Sequence, residues 1–90
     1  MKYLVLGSGM MGSAVAYDLA KRNPQDEVQL GDINIAHAKT TAQAIGENVR
    51  PMRVDVNNTR ELVGAMTGNN VVISAVSYSV NHQITRAALQ

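Results

Sequence analysis

The stretch YLVLGSGMMG, residues 3–12, decides the fold of this chain. It opens with an apolar run that is too short for a core helix, which predicts a strand buried on both faces. The rest reads G-x-G-x-x-G, and apolar residues at helical spacing follow it. A glycine-rich turn between a buried strand and an amphipathic helix is typical of a site that receives phosphate groups at the helix N-terminus.

Each glycine of the turn has a mechanical role. Gly7 lets the chain turn sharply off the strand, and Gly9, which has no Cβ, lets a pyrophosphate approach the backbone. Gly12 lets the helix pack close to the strand. The exposed N–H groups of the turn and the positive end of the helix dipole then receive the phosphates. The alternative interpretation is a tight strand-to-helix turn that binds no ligand.

Asp32 follows Gly12 by 20 residues and ends the second predicted strand. Dinucleotide-binding domains place a carboxylate there to hold the adenosine ribose. Asp32 is therefore the predicted ribose-binding residue, and its neighbour Ile33 is a further predicted cofactor-binding residue. The carboxylate repels a 2′-phosphate, and domains that bind the phosphorylated cofactor usually supply an arginine nearby. Because no arginine follows Asp32 directly, we expect NAD, with NADP the weaker ligand. Arg53, on the third strand, is the residue that could reverse this preference.

The remaining sequence alternates strand and helix patterns. We predict strands over residues 3–6, 28–30, 52–54 and 71–73, with a helix after each and the fourth helix opening near residues 79–81. Strands joined through helices run parallel, with right-handed crossovers. The predicted fold class is therefore α/β, a Rossmann-like doubly wound parallel sheet truncated to four strands, in the order 3-2-1-4. We expect residues 1–90 to be the N-terminal part of a dinucleotide-binding domain, with the substrate domain elsewhere in a longer protein.

Two local features of the helices also follow from the sequence. Asn58, with Glu61 three residues on, resembles a capping box at the start of the third helix, with Asn in place of the usual Ser or Thr. In the first helix, the apolar spacing predicts a buried face made of four residues: Met11, Ala14, Val15 and Leu19.

Composition and charge exclude several classes of function. The 90 residues carry 8 Lys and Arg against 7 Asp and Glu, so nothing supports a basic surface for nucleic acid. The absence of cysteine excludes disulfides, thiolate metal sites and a cysteine nucleophile, and no spacing of His, Asp and Glu indicates a metal. No apolar run approaches the ~20 residues of a membrane helix, and glycines interrupt the only candidate secretory signal. We therefore expect a cytoplasmic protein.

Three segments resemble the N-terminal domain of the saccharopine dehydrogenase family, whose wider group includes lysine 6-dehydrogenases: Met1–Asp32, Val54–Val56 and Val71–Asn81. The motif in residues 4–12 is similar to the opening of the family. The run VISAV in residues 72–76, followed by Tyr78 and Asn81, resembles the family's exit from strand four. Asn70 stands where the family often has an aspartate, and Ser77 stands where it usually has a proline.

The resemblance implies an oxidoreductase that acts on a C–N bond of an amino acid or its imine adduct, with hydride passing to or from the nicotinamide. It assigns the pyrophosphate to the turn GSGMMG, that is Gly7, Ser8, Gly9, Met10, Met11 and Gly12. It assigns the ribose to Asp32, the flanks of the adenine to Asp55 and Val56, and the path toward the nicotinamide to Ala75, Val76 and Ser77. From the residues alone, Asp55 is equally well explained as the start of a loop. Most catalytic groups of the family lie beyond residue 90, so we expect this chain to bind cofactor without turnover.

A regulatory nucleotide-binding module, like those that gate potassium transport, is the alternative function. Such modules share the glycine-rich turn and the aspartates that end strands two and three, but they lack the pattern of residues 74–81. Tyr78 could orient the nicotinamide or the substrate, or be an ordinary loop tyrosine. We interpret His37 as a solvated surface residue and His82 as a surface residue for which proton transfer is the alternative role. The unpaired edge of strand four predicts self-association or marginal stability of the monomer.

Overall fold

The computed structural model of the protein describes residues 1–75 and Ala88. Its strands are β1 (Lys2–Leu6), β2 (Glu27–Asp32), β3 (Val49–Arg53) and β4 (Val71–Ser74). Its helices are α1 (Met10–Arg22), α2 (Ile35–Ile45) and α3 (Thr59–Met66). The predicted fourth helix falls outside the described residues, apart from Ala88, which is helical.

The described strands form a parallel sheet in the order β3-β2-β1-β4, which confirms the predicted Rossmann-like topology. In the central strand, Leu4 lies between Gln29 of β2 and Val72 of β4. The chain moves outward from β1 to β3 and then crosses back to β4. This reversal creates a crevice outside the carboxyl ends of β1 and β4, where sheets of this kind bind ligands.

Strand β1 contributes to a hydrophobic core on each face of the sheet, as its apolar run predicts. Val5 packs with residues of α1 and α2 on one face, whereas Leu4 and Leu6 pack with Leu62 and Ala65 of α3 on the other. Because successive side chains of a strand point to opposite faces, a continuous apolar run supplies both cores. The end of β1, from which the glycine-rich turn starts, therefore lies between two cores.

The buried face of α1 differs from the prediction. Met11 is 69% exposed and Ala14 is exposed, whereas the buried positions are Gly12, Ala16 and Ala20. These small residues recur every four positions and let the helix lie close to the sheet, with Val15 and Leu19 packing at the side. Close approach of the backbone, rather than side-chain hydrophobicity, selects the buried face.

The third strand begins three residues earlier than predicted. Val49–Arg53 pairs with Val28–Asp32, and Pro51 lies within the strand opposite Leu30. Proline is tolerated there because β3 is at the edge of the sheet in the described part of the chain. The strand patterns of residues 28–30 and 71–73 are confirmed within β2 and β4.

Asparagine side chains begin the second and third helices. The amide oxygen of Asn58 accepts from the N–H of Glu61, and Asn34 does the same for His37 in α2. The other half of the predicted capping box does not form, because the N–H of Asn58 donates to the carbonyl of Asp55 and the Glu61 carboxylate accepts from the N–H of Asp55. In the described ranges, no helix has both the length and the apolar character needed to cross a membrane.

Candidate cofactor-binding site

The turn after β1 has the geometry that its glycines predict. Gly7 has a φ of 99°, in the left-handed region that favours glycine, and its N–H donates to the carbonyl of Gly31 at 2.7 Å. A Cβ built on Gly12 would lie 1.7 Å from the carbonyl oxygen of Gly7. Two of the three glycines are therefore required by the fold itself.

Gly9 differs from these two because it has open space around it. A Cβ added there would meet nothing within 4 Å. Gly9 is also the N-cap of α1, which has no side-chain cap, whereas asparagine caps α2 and α3. The first N–H groups of α1 are thus left for another acceptor. The position can hold an anionic group that a side chain would displace.

Asp32 ends β2 and is bound directly to this turn. Its Oδ2 accepts from the backbone N–H of Ser8 at 2.8 Å and from the Ser8 hydroxyl at 2.5 Å, and its Oδ1 accepts from the N–H of Asn34 at 2.9 Å. Burial raises the pKa of Asp32, but the hydrogen bonds from Ser8 and Asn34 and the nearby His37 outweigh it, so the pKa is lowered. The carboxylate is therefore ionised at neutral pH.

His37 belongs to this cluster, which the sequence did not predict. The side chain is exposed, as expected, but its Nδ1 lies 2.8 Å from the hydroxyl oxygen of Ser8. His37 occupies the first turn of α2, and helical side chains lean toward the N-terminus of their helix. The signal was its position shortly after Asp32, which places the ring beside the strand exit.

A cavity of about 120 Å³ lies beside the cluster and includes the predicted adenosine residues. Asp32, Ile33, Asp55 and Val56 line it together with Gly7. The chain thus brings the exits of β1, β2 and β3 to one place. A larger open groove of about 600 Å³ lies between α2 and β3, and it contains none of the predicted site residues.

Asp55 and Arg53 are held by local contacts near the cavity. The Oδ1 of Asp55 accepts from the N–H of Asn57 at 3.0 Å. This contact forms an Asx turn at the start of the loop that follows β3. The carboxylate of Glu61 accepts from the Asp55 N–H at 3.1 Å and from Nη1 of Arg53 at 3.3 Å. Arg53, the cation that could reverse the cofactor preference, is thus engaged by α3.

Ala75 is the described residue of the strand-four exit. Its N–H donates to the carbonyl of Leu6 at 2.8 Å, and its Cβ lies 3.5 Å from the Cβ position of Gly12. Ala75 therefore borders the glycine-rich turn at the crevice between β1 and β4. The other predicted residues of this exit, Val76 and Ser77, lie outside the described residues, as do Tyr78 and His82.

Among the described residues, no cluster of His, Asp and Glu has an arrangement that could hold a metal ion.

The sequence model of one protein family, the saccharopine dehydrogenase NADP binding domain, matches residues 3–90. The chain belongs to this family. The family match favours the dehydrogenase over the regulatory module. It supports a nicotinamide dinucleotide as ligand, and the family's name points to NADP, not to the expected NAD.

Solved structures agree with this family. The apo saccharopine dehydrogenase (L-Glu forming) of Saccharomyces cerevisiae is similar to this saccharopine dehydrogenase-type domain, with a TM-score of 0.84 and 25% identity over 98% of the chain. The chain spans 19% of the length of that enzyme.

One further dehydrogenase and one reductase share the fold. Serine dehydrogenase from Escherichia coli has a TM-score of 0.73 at 15% identity, over 99% of this chain and 55% of its own. A 3-ketoacyl-(acyl-carrier-protein) reductase from Brucella melitensis, complexed with NADH, has a TM-score of 0.61 at 19% identity. The match covers 97% of this chain and 30% of the reductase.

Proposed function

We propose that this chain is the dinucleotide-binding part of an oxidoreductase that acts on a C–N bond of an amino acid or its imine adduct. The observation that carries the proposal is the open space at Gly9, beneath the uncapped N-terminus of α1 and beside the ionised Asp32. Family membership supports the type of reaction. The amino-acid substrate belongs to the full-length parent enzyme.

The residues present fit a dinucleotide. The pyrophosphate would be held by backbone N–H groups of the turn Gly7–Gly12, where Gly9 leaves the room that a Cβ would fill. Asp32 and Ile33 would hold the adenosine ribose, and Asp55 and Val56 would flank the adenine in the cavity that they line. Ala75 would lie under the cofactor, toward the nicotinamide, with Val76 and Ser77 following it. When bound, the nicotinamide supplies or accepts a hydride.

We propose further that the domain prefers NAD to NADP. The carboxylate of Asp32 is ionised, and its free acceptor capacity suits a ribose hydroxyl. A 2′-phosphate at the same place meets a negative charge. The support for this preference is the single carboxylate at the end of β2, against a family name that points to NADP.

Gly9 provides the test of cofactor binding. We expect Gly9→Val to abolish the binding of NADH in a calorimetric titration, because the side chain enters the space of the pyrophosphate. Gly64→Val is the matched control, since a Cβ at Gly64 also meets nothing within 4 Å but lies in α3. Binding by the Gly9 variant, or loss of its circular dichroism spectrum, would remove the main support for the function.

A second copy of this chain is the partner we propose for the edge of β4. Within the described sheet, β4 pairs with β1 alone, and Val71 is 37% exposed. An apolar strand edge is a template for pairing with another chain. The proposed contact is strand addition between two copies through β4.

A further inference from the structure

Asp32 and His37 meet at one hydroxyl group, that of Ser8. The Ser8 oxygen lies 2.5 Å from Oδ2 of Asp32 and 2.8 Å from Nδ1 of His37. A hydroxyl has a single proton, and an ionised carboxylate can only accept. The proton of Ser8 therefore goes to Asp32, and Nδ1 of His37 carries a proton that it donates to Ser8. In this arrangement Nδ1 is a donor, and the ring is drawn toward the ribose-binding carboxylate.

The other ring nitrogen of His37 remains available to a ligand. In residues 1–75, Nε2 has no hydrogen-bond partner, and the side chain is exposed. Ser8, by contrast, is 1% exposed and cannot be reached from outside. A ligand group beside Asp32 can thus meet the imidazole but not the hydroxyl that links the two residues.

His37 lies beside Asp32 at a place where the sequence offered no arginine. Arg53, the register partner of Asp32 in the sheet, is paired with Glu61 of α3. Burial raises the pKa of Asp32, whereas the hydrogen bonds from Ser8 and Asn34 and, after them, the electrostatic interaction with His37 lower it. A protonated imidazole with a donor on Nε2 is a suitable partner for a phosphate group.

We propose that His37 determines cofactor specificity, by offsetting the charge of Asp32 and donating through Nε2 to the 2′-phosphate of NADP. The inference rests on the proposed function, because it assumes that the adenosine ribose lies at Asp32. It reconciles an aspartate typical of NAD sites with a family named for NADP. Asp32 disfavours the 2′-phosphate and His37 favours it, so the two residues act in opposite directions.

The test compares the dissociation constants of NADH and NADPH by calorimetry. His37→Gln keeps a hydrogen-bond donor toward Ser8 but removes the imidazole, and we expect it to raise the dissociation constant of NADPH on the order of fivefold and to leave that of NADH unchanged. His37→Arg supplies a permanent cation at this position and should bind NADPH at least as tightly as the unmodified chain does. Arg53→Gln is the matched control for the loss of a positive charge near Asp32, and it should leave the ratio of the two constants unchanged.

Each other outcome overturns a defined part of the argument. If His37→Gln weakens both cofactors equally, His37 has a structural role and the inference fails. If Arg53→Gln changes the ratio and His37→Gln does not, the specificity residue is Arg53. If the unmodified chain binds neither cofactor, the proposed function itself fails, and binding of NADH alone by every variant contradicts only the role of His37.

Discussion

The backbone N–H and the hydroxyl of Ser8 both donate to the same oxygen of Asp32, at 2.8 and 2.5 Å. Ser8 lies in the glycine-rich turn, and Asp32 ends the neighbouring strand β2. The carboxylate therefore has two roles. It accepts the hydrogen bonds that hold the turn in place, and in the proposed function it also binds the adenosine ribose. Changes at Asp32 should affect both the stability of the domain and the choice of cofactor.

The stability of the domain should depend on pH through Asp32. The pKa of Asp32 is lowered in the folded state. The contribution of Asp32 to the free energy of unfolding is therefore fully present above the pKa of about 3.9 in the unfolded state, and it is lost as the pH falls through the pKa of the folded state. We expect the free energy of unfolding, measured by urea denaturation, to decrease below about pH 4. Asp32→Asn should be less stable at pH 7 by about 1–2 kcal/mol and should show a smaller decrease in acid.

Asp18→Asn is the control for that measurement, because it removes an exposed carboxylate on α1. If the two variants lose stability in acid with the same slope as the unmodified chain, Asp32 does not stabilise the turn through its charge.

The preference for NADH over NADPH should decrease when Asp32 is replaced by alanine. The substitution removes the negative charge that opposes the 2′-phosphate, and it also removes an acceptor of the ribose hydroxyl. We expect the dissociation constant of NADPH divided by that of NADH to fall by about tenfold, which corresponds to one charged hydrogen bond of about 1.4 kcal/mol. Calorimetric titration checks this, and an equal or reversed preference in the unmodified chain would remove the argument for NAD.

Gly12→Ala should unfold the domain or destabilise it by more than about 4 kcal/mol, because backbone atoms cannot move aside as a flexible side chain can. The added Cβ would lie 1.7 Å from the Gly7 carbonyl oxygen, so α1 would have to move away from β1. Thermal unfolding followed by circular dichroism measures the loss. Gly64→Ala, at an open position of α3, is the control and should not destabilise the chain. A stable, cooperative Gly12 variant would show that the turn can relax.

Three features were predicted correctly from the sequence: the strand order, the Asn58 cap and the geometry of the glycine-rich turn. Strand order follows from the alternation of strand and helix, the Asn58 cap from one residue type at a helix start, and the turn geometry from its glycines. Each depends on residues close together in sequence, or on the rule that parallel strands need a crossover.

The features that depend on packing were missed. His37 meets Ser8 across 29 positions of sequence, a contact set by how α2 approaches the turn. Met11 is more hydrophobic than Gly12, but the separation between α1 and the sheet admits only small residues, so Gly12 is buried and Met11 is exposed. Hydrophobic periodicity finds a helix reliably, yet it does not measure the space beneath it.

The edge of β4 should make the chain self-associate in solution. Val71 is exposed at this edge, and a charged residue on an edge strand opposes pairing with another chain. We expect Val71→Lys to shift the sedimentation coefficient at micromolar concentration from that of a dimer or larger species to that of a monomer. Tyr17→Lys, which replaces an exposed apolar residue on α1, is the matched control and should leave the association unchanged. If the unmodified chain sediments as a monomer and melts cooperatively at high temperature, strand addition through β4 does not occur. If both variants dissociate the assembly, the contact involves α1 or a general loss of apolar surface rather than the strand edge.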